Sequence, residues 1–165
     1  SMLDLGTGSG AIALAVQHDL PHLSVTASDV SELALRVARE NAENLGLPVE
    51  FVESSWFDAL AKRRWALIVS NPPYVAADDG HLLEGDLRFE PNTALTDEGD
   101  GLSSIREIAS NAPDHLEAGG WLLIEHGYDQ AADVRSILEL NGFSKVSLRH
   151  DLAGRPRVTG GCWQC

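Results

Sequence analysis

Cysteine is scarce and basic residues are outnumbered. The 165-residue chain holds two cysteines, and 12 Lys and Arg against 25 Asp and Glu. Both cysteines, Cys162 and Cys165, stand at the C-terminal end, which excludes the disulfide framework of a small secreted domain. A Cys-x-x-Cys pair can bind metal or form a disulfide. No second Cys/His pair completes a zinc site, so the spacing is read as terminal chance and no metal is expected. No apolar run comes near the roughly 20 residues that cross a bilayer. The first residues also lack the basic-then-apolar layout of a secretion signal. A cytoplasmic protein with no membrane partner is expected. The formal net charge of −13 repels polyanionic nucleic acid unless the few basic residues are gathered in one patch. Direct nucleic-acid binding is therefore not expected, and the balance favours a small-molecule, protein or basic partner.

What is present is an ordinary globular composition, with 44% hydrophobic and 22% charged residues, and a length that suits one domain over 1–165. Ser1-Met2 leads straight into Leu3-Asp4-Leu5-Gly6, in the middle of an apolar strand. Ser1-Met2 is read as a foreign addition and the chain as the catalytic portion of a longer protein. Strand and helix patterns then alternate, which predicts a parallel sheet with helices on both faces. Helices are expected at Ala11–His18, from a Ser31 cap to Gly46, at Ser103–Leu116 and at Asp129–Leu140. Strands are expected at Leu3–Leu5, Leu23–Ser28, Val49–Val52, Trp65–Ser70 and Trp121–Glu125. Ser144–Arg149 and Val158–Trp163 read as an antiparallel hairpin joined by Gly154-Arg155-Pro156, and Gly119-Gly120 as a turn. Val75 to Leu102 has no clear periodicity; loops of that length inside a compact domain are usually functional or disordered.

Asp4-Leu5-Gly6-Thr7-Gly8-Ser9-Gly10 lies between a strand and a helix, where open α/β folds bind ligands. Glycines let the backbone turn tightly there, and the helix N-terminus offers N–H groups to a carboxylate. The G-x-G-x-G spacing departs from the G-x-G-x-x-G of nicotinamide dehydrogenases. Asp29, at the end of the second strand, is placed to accept the two hydroxyls of a ribose. Together these residues resemble the S-adenosylmethionine site of class I methyltransferases. The resemblance implies a Rossmann-like, mostly parallel seven-stranded sheet, with Asp4, Gly6, Thr7, Gly8, Ser9, Gly10 and Asp29 at the cofactor and S-adenosylhomocysteine as product. That family often carries an acid before an aromatic residue after strand three. Ser55 stands there instead, with Trp56 available to pack on the adenine.

The fourth strand delivers the chain into Asn71-Pro72-Pro73-Tyr74. An amide or exocyclic amine nitrogen has a delocalised lone pair and is a weak nucleophile. The Asn71 side-chain carbonyl and the Pro72 backbone carbonyl supply two acceptors that hold such an N–H₂ group, the second fixed in direction by consecutive prolines. Tyr74 can stack on the planar group. Because the methyl group is already activated, alignment suffices without a strong base. Asn-Pro-Pro is also a rigid turn, but its place after this strand favours a planar-nitrogen acceptor: adenine N6, guanine N2 or glutamine N5. Asn71, Pro72 and Tyr74 are the candidate catalytic residues, Pro73 completes the substrate site, and Asn71 also borders the cofactor.

The stretch Gly85 to Pro91 with Arg88 and Glu90, then Ala94-Leu95, Asp100-Gly101-Leu102, Glu125-His126-Gly127, Asp151 to Gly154 and Arg157, resembles the bacterial release-factor glutamine N5-methyltransferases (the HemK/PrmC family). The resemblance covers Leu3 to Trp163 and implies methylation of the glutamine of a Gly-Gly-Gln motif in peptide-chain release factors. It also implies an N-terminal helical docking domain not contained in this chain. A monomer is expected. Arg88 and Glu90 read equally as a plain loop ion pair, and His126 as a satisfied core-edge histidine rather than a base. Glutamine methylation of a ribosomal protein, base methylation in RNA or DNA, and a cofactor-binding module without activity are the alternatives.

Overall fold

A computed structural model describes residues 1–74 and 100–165. The elements are β1 (Met2–Leu5), α1 (Ala11–Asp19), β2 (Val25–Asp29), α2 (Glu32–Leu45), β3 (Glu50–Glu53) and β4 (Trp65–Ser70). After the undescribed stretch come α3 (Ser103–His115), β5 (Leu116–Glu125), α4 (Ala131–Leu140), β6 (Ser144–His150) and β7 (Pro156–Cys162). The seven strands form one sheet in the order β3-β2-β1-β4-β5-β7-β6. The first five run parallel, and β7 is antiparallel to both β5 and β6. This is the expected architecture, hairpin included.

Side chains alternate between the two faces of each strand, and the two hydrophobic clusters follow that alternation. Leu3, Leu5, Ile68, Leu122 and Ile124 face one side, where Ile105 and Ile108 of α3 and Val134 and Leu138 of α4 cover them. Met2, Val25, Ala27 and Val69 face the other, against Ala13 of α1. Beside α1 lies α2, which buries Leu35, Ala38 and Ala42. Its start and stop follow the sequence signals: the Ser31 side chain accepts from the Ala34 N–H, and Gly46 closes the helix at φ 65°.

Most boundaries shift by one or two residues from the sequence expectation, and two of the differences bear on the sheet. The second strand starts at Val25 rather than Leu23. Gly119-Gly120 lies inside β5, not in a turn before it. Leu116 already pairs with Trp65, and the register shifts before Leu67 meets Trp121. The glycines carry that irregularity: Gly119 has φ +79°, and a Cβ on Gly120 would stand 2.9 Å from the Glu117 carbonyl oxygen. The expectation for the cysteines is also corrected. Cys162 ends β7, the chain reverses through Gln164 at φ 52°, and Cys165 returns to form a disulfide with Cys162, Cα atoms 5.8 Å apart.

Ile68 is fully buried in the central strand β4. Ile68→Ala is expected to destabilise the fold by about 2–5 kcal/mol, from lost transfer energy and the cavity left behind. Urea unfolding followed by circular dichroism measures it, and a loss under about 1 kcal/mol would contradict the close packing of this face.

Candidate active site

Strand register assembles the site. Ser28, Leu5 and Ser70 stand side by side on β2, β1 and β4, with Val52 and Ile124 continuing the row on β3 and β5. The residue after each therefore reaches the same carboxyl edge: Glu53, Asp29, Gly6, Asn71 and Glu125. The Ser70 hydroxyl donates to the Leu5 carbonyl at 2.7 Å, tying the start of the Asn-Pro-Pro-Tyr motif to the start of the glycine loop.

The loop is held from both sides. Gly6 and Thr7 N–H groups donate to the Ser28 carbonyl, each at 2.9 Å. Asp4 is 1% exposed, and its Oδ2 accepts from Thr7 Oγ1 at 2.6 Å and from the Ala13 N–H at 3.1 Å. Its Oδ1 is buried without a hydrogen-bond partner. Burial pushes the Asp4 carboxyl up to about 6; the Thr7 and Ala13 hydrogen bonds pull against this, and the Asp29 charge adds to it. Asp4 thus lies beneath the loop and braces it. Gly10 begins α1 at φ 87°, and a Cβ there would stand 3.1 Å from Leu14 and 3.2 Å from Ala38. A Cβ on Gly8 would meet nothing within 4 Å, so the loop is open above that residue. α1 has neither a side-chain cap nor an acid in its first turn, which suits its N-terminus to a ligand's carboxylate.

Asp29 accepts from the Gly8 N–H through Oδ2 and from the Ser31 N–H through Oδ1, both at 2.8 Å. Each carboxylate oxygen keeps a further lone pair for a hydroxyl. Across the loop, the Trp56 ring lies 3.5 Å from where a Cβ on Gly6 would be. Trp56 has φ 42°, a costly backbone for a bulky residue. The turn that imposes it is closed by Ser54, whose hydroxyl donates to the Trp56 carbonyl at 2.9 Å and accepts from the Ala59 N–H at 3.0 Å. Ser55 is exposed beside it. Asp29, Trp56 and the glycines are thus brought together, with Ser54 a supporting residue that the sequence did not single out.

Asn71 is exposed, Pro72 buried, and Pro73 and Tyr74 half-buried. Burial raises the Tyr74 phenol above its ordinary value, the Glu125 charge adds to the rise, and Arg157 opposes it. The phenol thus faces the opposite charges of Glu125 and Arg157. Arg157 in turn donates to the His126 carbonyl at 3.2 Å and pairs with Asp151 at 3.6 Å. His126 is fully buried; Nδ1 pairs with the Gly127 carbonyl and Nε2 with the Thr159 hydroxyl, both at 2.8 Å. Burial lowers its pKa below the ordinary range, so it sits as a neutral core histidine with both nitrogens engaged. Arg88 and Glu90 lie outside the described residues. Among the described residues no group of three or more His, Cys, Asp or Glu could hold a metal ion, and no helix is long and apolar enough to cross a membrane.

This sheet order, with a glycine loop after β1 and an acid after β2, defines a Rossmann-like methyltransferase fold. The chain belongs to the methyltransferase small domain family, whose profile matches residues 1–141. It is 57% identical over 160 residues to the release factor glutamine methyltransferase of Neisseria gonorrhoeae, aligning 96% of this chain with 59% of that protein. With the protein of the same name from Bordetella pertussis it shares 52% identity over 161 residues, 97% of this chain and 60% of that one. The chain therefore spans about three fifths of the length of these curated relatives. The crystal structure of a methyltransferase from Pyrococcus furiosus superposes with a TM-score of 0.73, covering 99% of this chain and 74% of that one at 20% identity. The fold is shared at that distance.

The raised Asp4 carboxyl makes a stability prediction. Its ordinary value is 3.8 and its folded value about 6, so between these the native state binds the extra proton. The stability it lends is complete below pH 3.8 and lost as pH rises through 6. Asp4→Asn removes that slope. The variant's advantage over the parent is expected to grow across this window by up to roughly 3 kcal/mol. Parallel denaturation curves at pH 4 to 7 measure it, and a pH-independent difference would contradict the assignment.

Proposed function

We propose that the protein transfers the methyl group of S-adenosylmethionine to the side-chain N5 of the glutamine in the Gly-Gly-Gln motif of peptide-chain release factors. The observation that carries the reading is the Ser28–Leu5–Ser70 row, which puts an Asn-Pro-Pro-Tyr motif beside a glycine loop and Asp29. The activity named for relatives at 52–57% identity supports the acceptor, and so does a net charge of −13, which suits a protein better than a nucleic acid.

The residues present fit the cofactor. The open space above Gly8 and the uncapped start of α1 suit its amino-acid end, Asp29 its ribose hydroxyls, and the Trp56 ring its adenine. Asp4 holds the loop in shape from below. When bound, the cofactor supplies a methyl group activated on a sulfonium, which leaves as a thioether once the methyl has moved. The chain's own part is alignment. The Asn71 side-chain carbonyl and the Pro72 carbonyl accept the two amide N–H bonds, favour a pyramidal nitrogen and turn its lone pair toward the methyl. The nitrogen then gives up one proton to solvent. Tyr74 covers the flat face of the amide as a neutral phenol, in keeping with the burial that raises its pKa. No base is required at this step, in keeping with His126 being buried and fully bonded. The reading treats residues 1–165 as the catalytic domain of a cytoplasmic monomer.

Incubating the protein with a release factor and S-adenosylmethionine, then mapping the product by mass spectrometry, is expected to find one methyl group on the Gly-Gly-Gln glutamine. Methylation of RNA with that glutamine left untouched would refute the proposal. Asn71→Ala is expected to lower turnover by about 100-fold or more, the scale for losing one positioned polar contact to the reacting group. The circular dichroism spectrum and unfolding midpoint should stay unchanged. Retained turnover would remove Asn71 from the mechanism.

A further inference from the structure

Gln130 stands at the N-cap of α4, yet its side chain makes no capping hydrogen bond to its own helix. Glutamine is not among the residues favoured there, and its amide is used elsewhere. Its Oε1 accepts from the Gly127 N–H at 2.8 Å. Its Nε2 donates to the Tyr74 carbonyl at 3.0 Å and to the Gly101 carbonyl at 3.3 Å. The amide orientation is fixed by these partners, because the reverse assignment would face N–H to N–H and oxygen to two carbonyls. One side chain thus ties together the end of the Asn-Pro-Pro-Tyr motif, the chain just before α3, and the loop that follows β5.

The surroundings are built around this contact. A Cβ on Gly101 would collide with the Tyr74 carbonyl and stand 2.7 Å from Gln130 Nε2, and Gly101 has φ +75°. A Cβ on Gly127 would stand 3.0 Å from Gln130 Oε1. Both glycines admit backbone where a side chain would hold the amide off. At its other end the Tyr74 phenol faces the charges of Glu125 and Arg157.

We infer that Gln130 is a positioning residue for methyl transfer: by holding the Tyr74 carbonyl it sets the direction of the Asn71–Tyr74 acceptors. It acts through the motif and touches neither substrate nor cofactor. The inference rests on the methyl-transfer reading above. Two near-isosteric changes separate its parts. Gln130→Met removes all three hydrogen bonds, whereas Gln130→Glu keeps the acceptor for Gly127 and replaces the donor with a carboxylate facing two carbonyls.

With release factor as acceptor, both variants are expected to lose about tenfold or more in kcat, an alignment effect seen in the chemical step. KM and the S-adenosylmethionine Kd, read by calorimetry, should remain within about twofold of the parent. Amide exchange at Gly127 is expected to quicken by about tenfold in the Met variant and to stay near the parent rate in the Glu variant. Folding is checked by the thermal midpoint, and Gln130→Glu serves if the Met variant fails to fold. Turnover equal to the parent's in both folded variants, or a loss that only tracks the unfolded fraction, would overturn the assignment. A parent that binds S-adenosylmethionine but leaves the release-factor glutamine unmethylated would instead defeat the functional reading. Gln130 is then judged by the Tyr74 ring resonances, which must shift between parent and Met variant if the clamp exists.

Discussion

The site depends on one row of strand pairing. Leu5 sits between Ser28 and Ser70 with the Ser70 hydroxyl on its carbonyl, and everything that meets the proposed ligands leaves the sheet one residue later. A slip of one residue would turn every side chain to the opposite face, and a slip of two would carry a segment about 7 Å along its strand. The first is prevented because both faces are buried: Leu3 and Leu5 on one side and Met2 on the other are each fully covered. The second would move Asn71 out of reach of the glycine loop. The hydrophobic cores therefore fix the chemistry indirectly, through register, with no contact to a ligand.

The loop that leaves this row is locally unfavourable. It holds three glycines at positive φ and a buried carboxylate with one oxygen unpartnered, and a tryptophan faces it at φ 42°. Such features persist only where surrounding structure over-determines them. Here the determinants are short-range: Thr7 and Ala13 on Asp4, Gly8 and Ser31 on Asp29, and Ser54 on the turn before Trp56. The charge of Asp29 also opposes ionisation of Asp4. The result is a loop whose shape is set in advance, so that little ordering remains to be done on binding.

Much of this was legible in the sequence where the signal is local. The Ser31 cap, the Gly46 stop, the apolar run of β4 and the glycine spacing each depend on neighbouring residues, and each falls where expected. Asn71-Pro72-Pro73-Tyr74 was visible for the same reason. What escaped depends on residues far apart in the chain. Gly119-Gly120 reads as a turn because its partners, Trp163 and Ala66, are distant in sequence. Gln130 gives one local hint, a poor capping residue at a helix start, but its partners Tyr74 and Gly101 lie on either side of residues 75–99. The Gly85–Pro91 stretch that narrows the resemblance lies outside the described residues.

These contacts divide the molecule by task. β1 to β3 and their loops carry the residues assigned to the cofactor, and β4 to β7 those that orient the acceptor motif. The charges that face the Tyr74 phenol come from β5 and β7, and its carbonyl partner from the start of α4. The antiparallel strand β7 is what makes this possible. Because it runs against β5, its first residues, rather than its last, reach the carboxyl edge, and Arg157 arrives beside Glu125. A parallel strand in that place would present its own C-terminal residues there and leave Arg157 at the far edge. The two halves meet through the β1–β4 pairing, so a change in the C-terminal half can redirect the acceptor while the glycine loop, Asp29 and Trp56 stay as they are. On the proposed reading, that separation would let the surroundings of Tyr74 set the acceptor while the residues after β1, β2 and β3 hold the donor.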